Sequence, residues 1–220
     1  MYWFSGSKKI IFVLLTDSFK KAPICGGSLI TNQHIITSAH CVPGQDWPDQ
    51  YTKLFDFLMD HPWYIRVSLG DHNWNDPSKP DMFVTLSKIT LHPRGYDVAI
   101  FTLSEKIQFN QKIAPICLPS VKKTYGGMSG IATGWGINMD GYNNTIRQHG
   151  TIRQPELLLD ATVNIISNYK CYKMAREYKE EVYPHELCTL EHGTTCQGDS
   201  GGPLFLEEYD NRYNYWIHVF

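Results

Sequence analysis

The sequence predicts an all-β chain, a barrel or a sandwich, and three observations carry that reading. Short β-type runs recur along the 220 residues, Gly and Pro punctuate them, and helical periodicity is poor almost everywhere. The runs fall at 10–15, 28–30, 34–38, 64–69, 82–91, 98–103, 131–133, 161–166 and 215–220. Thr31-Asn32-Gln33 separates the second run from the third as a hairpin turn does. The exception to the β pattern is 168–181, where Tyr169, Tyr172, Ala175 and Tyr178 stand at a spacing that puts them on one helical face. The Pro- and Cys-containing stretch 114–119 reads as a connector between two halves, about 1–114 and 115–220. There is no internal repeat and no low-complexity tract.

Composition narrows the function classes. A formal net charge of -2 with scattered Lys and Arg gives no basic stripe, so nucleic acid is not an expected partner. The longest wholly apolar run, 10–15, is far too short to span a bilayer, and no membrane partner is expected. Lys8 and Lys9 precede that run, but six residues fall short of a secretory h-region, and no small-residue cleavage site follows. The six cysteines lack the C-x-x-C spacing of zinc or redox sites. Two pairs are close in sequence, Cys25 with Cys41 and Cys171 with Cys188. Bridging either closes a loop of roughly 15 residues, worth about 3 kcal/mol in the chain-entropy model; the alternative is buried free thiols. Asn143-Asn144-Thr145 is a glycosylation acceptor sequence, and together with the cysteines it favours an oxidising, extracellular compartment.

The stretch Gly198-Asp-Ser-Gly-Gly-Pro203 is richer in special residues than a turn requires. A serine hydroxyl is a poor nucleophile at neutral pH and needs a base plus donors for the oxyanion its attack creates. Gly198 lacks a Cβ, so its backbone can aim an N–H beside that of Ser200, and Gly201 and Gly202 are expected to leave space for a substrate carbonyl. His40 ends a β-rich run behind small Ser38 and Ala39, placed to project an imidazole; taken alone it reads first as a structural histidine. Asp97 opens the apolar run 98–103 and is the expected buried carboxylate partner of such an imidazole, since burying an acid there demands hydrogen bonds.

Five motifs in order, Cys25-Gly-Gly-Ser-Leu-Ile30, Thr37-Ser-Ala-His-Cys41, Asp97-Val-Ala-Ile100, Gly134-Trp-Gly136 and Gly198-Asp-Ser-Gly-Gly-Pro203, make the chain resemble the chymotrypsin-like (trypsin-like) serine proteases from about residue 10 to 220. The mechanism of that family's triad is known and is carried over with the resemblance. The resemblance implies two six-stranded antiparallel β-barrels with the active site between them, the second barrel incomplete at its C-terminal end. It implies that His40 is general base and acid, Asp97 its orienter and Ser200 the nucleophile, with the N–H groups of Gly198 and Ser200 as oxyanion hole. A secreted serine endopeptidase follows, acting on proteins or peptides, subject to protein inhibitors and requiring no cofactor. The alternative is a non-catalytic homologue serving as a secreted binding or regulatory module. An α/β-hydrolase esterase is excluded by chain order, which here runs His, acid, Ser.

The chain also departs from the family. No Ile-Val-Gly-Gly-like start is present to supply the amine that pairs with the acid before the nucleophile, here Asp199; Lys9-Ile10-Ile11 aligns better with the first barrel strand. The usual partners of Cys117 and Cys196 would lie beyond opposite ends, so a fragment of a longer secreted precursor, poorly active alone, is expected. Another family bridge is missing at both ends, where Gly130 and Leu206 stand. The pocket-floor acid of trypsin-like members is replaced by Thr194, which favours apolar or aromatic P1 side chains. Asp71 and Asp81 flank a stretch that resembles the family's calcium loop, although a solvated acidic loop is the preferred reading. The stretches 43–62 and 138–155 are expected to be enlarged surface loops.

Overall fold

The computed structural model describes residues 12–17, 23–42, 52–76, 82–118, 124–137, 154–190, 195–207 and 214–217. Along them run β1 (Phe12–Asp17), β2 (Cys25–Leu29), β3 (His34–Thr37), α1 (Thr52–Asp60), β4 (Ile65–Leu69), β5 (Met82–Leu91) and β6 (Ala99–Leu103). There follow β7 (Ser129–Gly134), β8 (Leu159–Ile166), α2 (Asn168–Glu177), β9 (Cys188–Leu190), β10 (Leu204–Glu207) and β11 (Asn214–Ile217). No helix among the described residues is long and apolar enough to cross a membrane.

The first six strands close an antiparallel barrel in the order β1-β2-β3-β6-β5-β4. Period-two alternation drives the closure. Ala99, Phe101 and Leu103 of β6 point inward and are essentially inaccessible, as are Ile35, Val67, Val84 and Leu86 from neighbouring strands. A register shift between Leu86 and Lys88 bends the long β5, as a bulge does where a sheet must curl. The β2–β3 hairpin forms where the sequence places it: Ile30 N donates to His34 O at 2.9 Å, and Thr31 Oγ1 accepts from the Gln33 and His34 amides.

Among the described residues, the second half forms a five-stranded antiparallel sheet in the order β11-β10-β7-β8-β9. Its core holds Ala132, Val163, Ile165, Leu204 and Leu206. At the position of the missing family bridge, a Cβ on Gly130 would lie 2.8 Å from Leu204 Cδ1 and 3.1 Å from Leu206 Cδ2. Leucine packing into glycine's vacancy takes the place of a covalent link. A third cluster, Ile116, Trp135 and Phe205 with Ile30, Ile36, Trp74, Ile131 and Leu158 against it, joins the two sheets. The connector feeds this seam, with Ile116 N donating to Leu29 O at 2.8 Å.

Several expected elements are corrected. The enlarged loop at 43–62 contains α1, because Phe55, Leu58 and Met59 at helical spacing pack onto the first core. In α2 the tyrosine face lies toward solvent: Tyr169, Tyr172 and Tyr178 are exposed, while Cys171 is buried and bonded to Cys188 of β9. Ser167 caps that helix by accepting from Lys170 N at 3.3 Å. The first strand, described over Phe12–Asp17, extends two residues beyond its expected end, while Ile10 and Ile11 lie outside the described residues.

Candidate active site

β3 ends at Thr37, and the small, fully buried Ser38 and Ala39 lead into a tight turn over Ala39–Cys41. A disulfide between Cys41 and Cys25 staples this turn to the start of β2. His40, one residue before the staple, keeps its side chain about one third exposed. Its backbone N–H donates to Asp97 Oδ1 at 2.8 Å, and its Nδ1 lies 2.7 Å from Asp97 Oδ2. One residue thus engages both oxygens of the carboxylate.

Asp97 itself is 50% exposed, not buried, and lies outside the strand it was expected to open. It ends a compact loop closed by His92 N to Val98 O at 3.0 Å and Gly95 N to His92 O at 3.0 Å, so the chain turns before the core begins at Ala99. Partial burial on its own would raise the Asp97 pKa. The hydrogen bonds from the His40 ring and backbone, with the charge of the ring, outweigh it and hold the carboxyl below its ordinary value. An ionised carboxylate only accepts, so Nδ1 carries the proton and donates. The neutral imidazole then presents its lone pair at Nε2, the nitrogen a general base must use.

Ser200 sits in the turn before β10. Its carbonyl accepts from Gly26 N of β2 at 2.7 Å and lies 3.6 Å from Cys41 Sγ, so the serine loop and the His40 turn share one seam. The approach is too close for side chains. A Cβ on Gly26 would lie 2.8 Å from Gly202 Cα, and one on Gly201 (φ +76°) would strike Thr37 Oγ1 and the Gly26 carbonyl. This corrects the expectation that Gly201 and Gly202 make room for a substrate carbonyl: they make room for the first barrel and for their own loop. Gly198 is left-handed, with φ +103°. Among the described residues, Ser200 Oγ and the N–H groups of Gly198 and Ser200 have no protein hydrogen-bond partner.

The sequence model of the family described as Trypsin matches residues 10–211. The chain belongs to the trypsin family. It is 29% identical over 199 residues to Trypsin-1 of Astacus astacus, covering 86% of this chain and 73% of that protein. It is 30% identical over 190 residues to Serine protease 1 of Rattus norvegicus, covering 82% of this chain and 64% of that protein. Against Serine proteinase stubble of Drosophila melanogaster it is 29% identical over 208 residues, 89% of this chain but only 23% of that protein's length.

In this trypsin-family domain Asp199, beside the serine, turns inward. Its Oδ1 accepts from Gly136 N at 2.7 Å and its Oδ2 from Cys196 N at 2.9 Å. Burial pushes its pKa up, and the two amides only partly counter it. Two residues of the quoted motifs were given no role by the sequence reading, Gly26 and Thr37, whose hydroxyl donates to Gly26 O at 2.8 Å. The signal was present, since a glycine pair inside a strand with no turn marks close backbone approach.

Of the remaining expected site residues, the structure describes Asp71 alone. Asp71 accepts from Ser68 Oγ, whereas Asp81, Thr194 and Asn143 lie outside the described residues, as does all of 138–153. Cys25, His40 and Cys41 bring potential ligand atoms within 4.8 Å of one another, but both sulfurs are spent in the disulfide, so the trio is no metal site. Cys117 is exposed and Cys196 half-buried, both as free thiols.

Proposed function

We propose that this domain is a serine-type endopeptidase that cleaves peptide bonds through an acyl-enzyme. The observation that carries the reading is the His40–Asp97 couple, which fixes the base tautomer one residue from the disulfide that touches the Ser200 carbonyl. In the proposed reaction Nε2 of His40 takes the Ser200 hydroxyl proton as Oγ attacks the carbonyl carbon. The Asp97 carboxylate stabilises the imidazolium that forms. The amides of Gly198 and Ser200 hold the oxyanion, and His40 returns the proton to the leaving amine. Water then repeats the sequence and frees Ser200. No metal or cofactor takes part, and the trio is made wholly of this chain's own side chains.

Protein or peptide substrates and protein inhibitors follow from the reaction. Thr194 in place of an acid supports apolar or aromatic P1 residues, because a buried basic side chain would find no counter-charge there. Two disulfides and the Asn143 sequon support secretion, glycosylation and a precursor processed by cleavage. Calcium at Asp71 and Asp81 is not required by the proposal. A fluorophosphonate probe tests it: the full-length, processed protein is expected to label at Ser200 and the Ser200→Ala variant not to. A correctly folded protein that resists labelling would favour the alternative, a non-catalytic binding or regulatory module.

A further inference from the structure

Gly198 has no side chain to lock its left-handed backbone, so the direction of its N–H depends on its neighbours. On one side Ile137 N donates to Gln197 O at 3.0 Å. Because the peptide is planar and trans, a carbonyl of Gln197 aimed at Ile137 sends the Gly198 N–H the opposite way. Against the Cβ side of Gly198 stands Gln154. Its carboxamide nitrogen donates to Pro23 O at 3.0 Å, just ahead of β2. The same nitrogen occupies the place a Gly198 side chain would need, and a Cβ there would also lie 3.1 Å from Gly136 Cα. Gly136 Cα and the Gln154 carboxamide therefore both crowd the Cβ side of Gly198 and leave its backbone no room to swing that way.

Gln154 is itself held from behind. Trp74 Nε1 donates to Pro155 O at 2.8 Å, Trp74 N to Glu156 O at 3.2 Å, and Leu158 N to His72 O at 2.8 Å. Asn75 Nδ2 reaches Glu156 Oε1 at 3.0 Å. The segment after β4 thus zips onto 155–158 and delivers Gln154 to its place.

The geometry points to Gln154 as a positioning residue for the oxyanion amide of Gly198, braced through Trp74 from the first barrel. The inference rests on the protease reading and adds to it a residue that touches neither triad nor scissile bond. Without the carboxamide, the Gln197–Gly198 peptide gains room to rotate and the Gly198 donor is lost for part of the time. Complete loss of one oxyanion donor costs about 10²–10³ in kcat, so a partial loss is expected to cost about 10- to 100-fold.

The test uses the full-length processed protein, comparing wild type with Gln154→Ala, Gln154→Glu and Trp74→Phe. A peptide ester reports kcat and KM, and a peptide aldehyde, whose adduct with Ser200 carries the oxyanion, reports transition-state affinity. Gln154→Ala is expected to lower kcat and aldehyde affinity by the same factor while KM stays within about twofold. Gln154→Glu keeps the size but loses the donor to Pro23, and the same loss is expected. Trp74→Phe, which removes the indole N–H to Pro155 O and part of the ring packed on the seam, should show a smaller loss of the same kind. Wild-type kcat in folded Gln154→Ala, or in Gln154→Glu should alanine not fold, overturns the inference, as does a loss seen in KM alone. A wild-type protein that forms no acyl-enzyme overturns the protease reading and this inference with it.

Discussion

Replacing Asp97 by asparagine isolates the tautomer argument, because the structure decides how the amide must sit. Asp97 receives two donors from His40, the backbone N–H at 2.8 Å and Nδ1 at 2.7 Å. The backbone N–H cannot become an acceptor, so the asparagine oxygen is held there and the amide NH₂ faces Nδ1. Facing a donor, Nδ1 must accept, and the ring proton moves to Nε2. The nitrogen that should take the Ser200 proton then already carries one. The corresponding change in the family's triad lowers kcat by about 10⁴, or roughly 5 kcal/mol of transition-state stabilisation. A similar loss is expected here, with little change in folding, since the side chain is 50% exposed and exposed pairs are worth at most about 1 kcal/mol. Ester turnover by the processed protein, beside a thermal melt, measures both. A folded Asp97→Asn variant acylating within about tenfold of wild type would show that the carboxylate does not set the tautomer.

Other consequences are open to direct measurement. Asp97 has a folded pKa below its ordinary value, so it binds protons less tightly folded than unfolded. Its stabilisation is present above the ordinary carboxylate pKa of about 3.9 and fades as pH falls through the lower folded value. Melts between about pH 6 and pH 3 should therefore drop more steeply for wild type than for Asp97→Asn, and parallel curves would contradict this. Gly130→Ala puts a methyl group against Leu204 and Leu206 and is expected to cost about 1–3 kcal/mol in urea denaturation; an unmoved midpoint would show that the sheet gives way. Removing the Cys25–Cys41 link with two serines should cost about 3 kcal/mol and slow Ser200 labelling, whereas full stability would mean the turn is held without it.

The fold was legible wherever one face of a strand meets one core. Period two over 82–91 and 98–103 reproduces β5 at both ends and β6 to within one residue, because buried Val84, Leu86, Phe101 and Leu103 alternate with more exposed neighbours. The strand β10 was missed for a related reason. Leu204, Phe205 and Leu206 are all buried, one side facing the second core and the other the seam, so no alternation survives to be read. α1 was lost because Pro43 and Pro62 bound a stretch whose helical spacing at 55, 58 and 59 is short and rich in aromatics.

The serine, its neighbouring glycines and the histidine were legible as motifs, yet the causes the structure assigns to several of them are different. A glycine in a functional loop can serve substrate, backbone conformation or a neighbouring chain, and sequence spacing does not separate the three. Gly201 serves the first barrel, whose Gly26 carbonyl a Cβ there would strike; Gly202 serves its own loop beside Asp199; Gly198 serves conformation. The exposure of Asp97 has the same origin, since its surroundings are set by the loop that precedes β6 and not by the strand pattern that follows. Gln154 lies furthest from any motif. Its position over Gly198 depends on a Trp74 contact across 81 residues of chain, and only the packing of one sheet against the other brings the two together. Motifs mark the groups that react, while the contacts that aim them belong to the seam.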